Sequence, residues 1–142
     1  WCYYENNTAN GTVYGKIYNW YAVNDPRGLA PEGYHIPSDA EWTVLINFLG
    51  GENLAGGKMK TTTGWNAPNT GATNNSNFTG LPGGYRPNHG GYINIGAEGY
   101  WWSASSSIAN EAWCRSLTYD IEGVWRFDID KVTGFSVRCI KN

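Results

Sequence analysis

The chain has 142 residues and a mass of 15.7 kDa, the size of one domain, and residues 1–142 are read as a single unit. Ten Lys and Arg against twelve Asp and Glu give a net charge of -2, which leaves no basic footprint for nucleic acid. Charged residues make up only 15% of the chain, while 19 Gly, 8 Trp and 10 Tyr hold aromatic surface between polar turns, a composition of loop-rich binding domains rather than helical bundles.

No apolar run is long enough to span a membrane, so no direct insertion of this domain is expected. The opening Trp1-Cys2-Tyr3-Tyr4 lacks the basic and apolar regions of a signal peptide, which reads as a mature or excised domain. Cys2, Cys114 and Cys139 form no C-x-x-C pair that would suggest zinc or a redox dithiol. Few Lys, many Asn and aromatics, and cysteines at both ends lean toward an oxidising compartment.

Residues 1–24 alternate Tyr, Val and Ile with Gly, Asn and Thr, which reads as strand broken by turns. Two Pro and two Gly then interrupt the segment 24–33. Ser38 followed by Glu41 is a capping box, so a helix is expected from Asp39. Trp42, Leu45, Ile46 and Leu49 give it one apolar face, and Gly50-Gly51 ends it. A weaker helical turn is expected over 53–58, interrupted by Gly56-Gly57.

From Thr61 to Gly99 periodicity is nearly absent. Trp65, Phe78, Leu81, Tyr85 and Ile95 nonetheless punctuate the stretch as anchors, which predicts a packed loop region rather than disorder. Strands are expected at 100–105, 112–119, 124–128 and 134–140, with a turn at Asp120-Ile121-Glu122-Gly123.

Catalytic patterns are sparse. His35 and His89 are the only histidines, no G-x-S-x-G motif is present, and Glu41 is committed to the cap. His35 reads as a hydrogen-bonded structural residue and His89 as a turn residue. No enzyme activity is expected.

The strongest functional signal lies between Ala112 and Thr133, where alternation separates two strand faces. Trp113, Arg115, Leu117 and Tyr119 read as the structural set. Cys114, Ser116, Thr118 and Asp120 point the other way, and after Ile121 the turn leads to Trp125, Phe127, Asp128, Ile129 and Asp130, which extend that second set. With Val124 and Arg126 inward, Trp125 and Phe127 face out and form a recognition patch beside the Asp residues.

The strings YGKIYNWYAVNDPRGLAPEGYHIPSDAEW (14–42), AGGKMK (55–60), LPGGYR (81–86), NIGAEGYWWSAS (94–105) and GFSVRCIKN (134–142) occur in this order. Together they resemble the Fibrobacter succinogenes major paralogous domain, found in secreted and surface-anchored proteins of Fibrobacter and Bacteroidetes. A more distant similarity links the IPSDAEW helix start and the closing GFSVRC to the C-type-lectin-like fold in its formylglycine-generating-enzyme form.

The resemblance implies an α+β, C-type-lectin-like fold: a short helix pair packed on small antiparallel sheets, with long loops and adjacent termini. It makes Cys2 and Cys139 candidates for a disulfide, places the domain outside the cell, and leaves calcium open while implying no other cofactor. The paired cysteines of the copper oxidase are not matched by Cys114, so a formylglycine-generating-enzyme-like oxidase is the unfavoured alternative. The segment around Cys114 is also similar to the diversified region of retroelement variable proteins, whose Trp-x-Arg-x-Leu-x-Tyr frame stays while the x positions vary. The expected function is non-catalytic binding of a protein or glycan by the strand-turn-strand surface, diversified or, alternatively, a fixed carbohydrate-binding module.

Overall fold

The computed structural model describes all 142 residues. In chain order a 3-10 turn (Tyr4–Asn6) is followed by α1 (Thr8–Tyr14), α2 (Trp20–Val23), β1 (Tyr34–His35), α3 (Asp39–Phe48) and α4 (Ala55–Met59). Then come β2 (Gly83–Tyr85), β3 (Ile93–Ile95), β4 (Glu98–Ser106), β5 (Glu111–Thr118), β6 (Trp125–Asp130) and β7 (Ile140–Lys141). No helix is long and apolar enough to cross a membrane.

The main sheet has five strands in the order β3-β2-β4-β5-β6. β4, β5 and β6 run antiparallel, whereas β2 pairs parallel with β4 through Gly84 and Gly99, so the sheet is mixed rather than purely antiparallel. β1 and β7 form a separate antiparallel pair, with Tyr34 opposite Lys141 and His35 opposite Ile140.

α3 forms as its residues dictate. Ser38 Oγ accepts from the Glu41 amide at 3.3 Å, and Glu41 Oε2 accepts from the Ser38 amide at 2.8 Å, which satisfies two donors that the first helical turn leaves open. Trp42, Ile46 and Leu49 bury their side chains with Trp101 and Leu117 of the sheet and Met59 of α4. Gly51, at φ +90°, donates back to the Ile46 carbonyl and closes the helix end.

The other face of β4 and β5 carries Trp102, Ala112 and Cys114. They pack with Trp20, Val23, Ile36 and Phe135 in a second cluster. The sheet is therefore covered on both sides, and β5, one of its inner strands, buries Ala112, Cys114, Arg115, Ser116 and Leu117.

Residues 1–24 are not strand. Asn7 Oδ1 accepts from the Ala9 amide and Asn19 Oδ1 from the Ala22 amide, so each Asn caps a short helix where alternation suggested an extended chain. Strand character there is confined to single bridges, Cys2 with Ile17 and Tyr18 with Phe135. The closing segment likewise makes only bridges at Gly134, Phe135 and Ser136 before β7 begins at Ile140. The stretch 61–99 is a packed loop region, as its anchors implied, and it contributes β2 and β3 to the sheet.

Candidate ligand cleft at the end of the sheet

The turn between β5 and β6 is held by backbone and by one buried cation. The Gly57 amide donates to the Glu122 carbonyl at 2.8 Å, the Val124 amide to the Glu52 carbonyl at 2.8 Å, and the Thr70 amide to the Tyr119 carbonyl at 2.8 Å. Gly56 permits this approach, because a Cβ there would land on the Gly123 carbonyl oxygen. Lys60, 0% exposed, donates through Nζ to the Thr118 and Ile121 carbonyls, each at 2.8 Å. Burial pulls the Lys60 ammonium below the usual lysine range, and the nearby charges of Asp120 and Glu122 oppose that shift.

This clamped turn forms one wall of a cleft of about 310 Å³, and the Glu52-Asn53 turn forms the other. Ile121, Gly123 and Val124 give it an apolar lining, Glu52 brings a carboxylate, Asn53 brings an amide, and Trp125 stands at the rim, while the Glu122 carboxylate lies against Gly71, which does not line the cleft. Trp125 is 57% exposed on the edge strand of the sheet. The arrangement offers an open indole face beside hydrogen-bond acceptors on a rigid base.

The residues singled out in the sequence separate into three groups. Ile121 and Trp125 line the cleft, whereas Asp120 is exposed on the turn and Thr118 does not line the cleft, its carbonyl being held by Lys60. Cys114 and Ser116 are buried, at 0% and 3% exposed, so they are not on a presented surface. The physical reason is strand position: alternation identifies two faces, but on an inner strand covered on both sides neither face is solvent.

Phe127 and Ile129 are half-buried and pack on the second core cluster, so Phe127 does not join Trp125 in an exposed patch. Asp128 stands opposite Trp113 on β5. Asp130 accepts from the Val132 amide and from Asn88, at the far end of β6, about 17 Å along the strand from Trp125.

Arg126 is turned to the α3 side of the sheet. Its guanidinium lies 3.5 Å from the Trp113 ring centroid and donates to Asp39. Val124 is inward, as expected.

Cys2, Cys114 and Cys139 are all free thiols, so the Cys2–Cys139 bond implied by the resemblance is not made. Cys2 instead accepts from Arg86 at 3.8 Å. No group of three or more His, Cys, Asp or Glu side chains gathers in a metal-holding arrangement. His35 bonds Glu41 and Asn142, and His89 bonds Asn88.

Sequence reading missed Glu52, Asn53 and Lys60. Glu52 and Asn53 lie about 70 residues before Trp125 and reach it only through the tertiary backbone bond from Val124. Lys60 in isolation is an ordinary surface residue type, and no local pattern marks it as buried. Neither a curated protein nor a solved structure matches the chain. The family model of the Fibrobacter succinogenes major domain matches residues 1–141, and the chain belongs to that family.

Proposed function

We propose that this domain is a non-catalytic, extracellular glycan-binding module that takes a neutral sugar at the cleft beside Trp125. The exposed indole at the rim of an acceptor-lined cleft carries this reading. The partly positive C–H groups of a pyranose face are attracted to the negative face of an indole, and sugar hydroxyls donate to carboxylate and amide oxygens. Glu52 and Asn53 supply those acceptors.

A protein partner fits less well. A stable protein interface needs about 800 Å² from each side, and this end of the sheet offers one large exposed aromatic rather than a patch. Burial of Cys114 and Ser116 likewise favours a fixed site over a diversified one, since varied residues there would disturb the core instead of the surface.

The lectin-like architecture belongs to the same proposal. The bridge between Tyr18 and Phe135 and the pairing of β1 with β7 bring segments from the first and last parts of the chain side by side, which supports it. A glycan array probed with the domain and with Trp125→Ala tests the function. Binding that disappears in the variant while the fold is kept is the expected result. A variant that binds as well as the parent, or a parent that binds no glycan, overturns the reading.

A further inference from the structure

A second cavity, of about 570 Å³, opens between α1, the 81–83 segment and the closing segment 136–138, and it shares no residue with the Trp125 cleft. Its size suits a small molecule. Trp101 lies in its wall and is 4% exposed. The buried Trp20, Trp42, Trp65 and Trp102 all donate their indole N–H to an oxygen of the protein. Trp101 is the buried tryptophan whose indole N–H meets no protein acceptor. That nitrogen is not fully enclosed, and this cavity is open space that Trp101 borders. A buried indole N–H normally finds a partner, and here the position of the partner is the open space.

The cavity is also one-sided in charge. Lys16 and Arg138 line it and no Asp or Glu does. Arg138 donates through Nη2 to the Phe78 and Thr79 carbonyls, but no carboxylate lies within 4.0 Å of its guanidinium and its Nε has no partner. Burial pulls the Arg138 pKa down, the mark of a cation that lacks compensation where it sits. Tyr3, Tyr14, Tyr18, Thr12 and Ser136, all hydroxyl-bearing residues, also line it.

We infer that this cavity binds a carboxylate-bearing sugar, a hexuronate, with the carboxylate toward Arg138 and Lys16, the indole N–H of Trp101 donating to a ring substituent, and the tyrosines facing the hydroxyls. An anion supplies the acceptors that this wall lacks, and the polyol ring matches the hydroxyl-rich remainder. A phosphate or a simple fatty acid would satisfy only one half of that lining.

The test is titration of the intact domain with D-galacturonate, D-galactose, acetate and trigalacturonate, read on the assigned indole N–H resonance of Trp101 in nitrogen–proton correlation spectra. Galacturonate at about 10 mM, enough to saturate a millimolar site, is expected to shift that resonance. Arg138→Gln should weaken the effect about tenfold or more, the loss of a charge-assisted hydrogen bond. Because Arg138 also holds Phe78 and Thr79, the exposed Lys16→Gln serves as a second variant, with an expected loss of about twofold to fivefold and no change of fold.

Tighter binding of the trimer than of the monomer identifies a polysaccharide source, and equal binding a free monosaccharide. No shift of Trp101, or a shift given equally by galactose or by acetate, overturns the inference. The Trp125→Ala variant should keep the galacturonate response, so failure here and failure at the other cleft are read separately.

Discussion

Asp39 and Arg115 join the first turn of α3 to the inner strand of the sheet, Arg115 Nη1 donating to Asp39 Oδ1 at 2.8 Å. The Arg115 side chain is 1% exposed, and Asp39 also receives Arg126 at 2.9 Å from the edge strand. One carboxylate thus compensates one fully buried and one half-exposed guanidinium. Burial alone would raise the Asp39 pKa, but the hydrogen bonds from Arg126 and Arg115 prevail and hold the carboxyl below the ordinary range.

Asp39→Ala leaves the Arg115 charge buried without its partner, and a loss of about 3–5 kcal/mol in urea unfolding is expected. The sign in pH follows from the depressed folded pKa. This stabilisation is fully present above the ordinary Asp value and fades as pH falls through the lower folded value. An Asp39→Ala variant as stable as the parent at neutral pH contradicts this account.

His35 and Glu41 predict a second, milder pH dependence. His35 Nε2 meets Glu41 Oε1 at 2.8 Å and its Nδ1 meets Asn142 at 2.6 Å, so one imidazole ties the β1–β7 pair to the start of α3. Hydrogen bonding to Glu41 raises the His35 pKa above 6.5, and bonds from Ser38 and His35 take Glu41 down to about 2. The His35 contribution is complete below pH 6.5 and is lost as pH rises through its elevated folded pKa. The Glu41 contribution is complete above pH 4.5 and is lost as pH falls toward about 2. Proton NMR of the His35 ring should show the raised midpoint, and Glu41→Gln should return it toward the ordinary histidine value.

The sequence speaks most clearly where a few neighbouring residues settle the outcome. Ser38 and Glu41 fix the start of α3 by bonds they make to each other, and the chain does turn at Asp120 to Gly123, where Asp and Gly announce a turn, although bonds to Gly57, Glu52 and Lys60 hold it. α1 is different: it buries none of its residues, so no apolar period announces it, and the cap at Asn7 is read as turn chemistry in a strand-like context. The cleft is legible by half. Trp125 and Ile121 belong to the same strand-turn-strand pattern, but Glu52, Asn53 and Lys60 join them only once α4 packs its glycines against the turn. Two-faced burial of β5 is likewise a property of the whole sheet, which no alternation along one strand can disclose.

The thiols give a check on that burial. Cys114 is 0% exposed and donates to the Phe127 carbonyl at 3.3 Å, and burial pushes its pKa far above the usual thiol range. Iodoacetamide should modify the partly exposed Cys2 and Cys139 in the native protein and reach Cys114 only in denaturant. Mass spectrometry of tryptic peptides reads both. Modification of Cys114 under native conditions would place it back on the surface.

Lys60 is the residue on which the geometry of the cleft depends most directly. Its ammonium holds the Thr118 and Ile121 carbonyls on either side of the turn, and no protein carboxylate lies within 4.0 Å to hold it in return. Lys60→Met keeps the length of the side chain and removes the cost of burying a charge, but it leaves two carbonyls without their donor, a penalty of about 1–3 kcal/mol each. The two effects oppose each other in global stability, so the unfolding midpoint is expected to fall only modestly. The local consequence has no such offset. Amide exchange at Val124 and Gly57, which donate to Glu52 and Glu122 across the turn, should accelerate far more than exchange in α3, because these backbone bonds must then hold the turn alone. Any affinity measured at Trp125 should drop with it, since the indole keeps its place only while the turn leading into β6 does. Exchange at these amides that matches the parent would mean that the backbone bonds suffice and that Lys60 fills space without holding the turn.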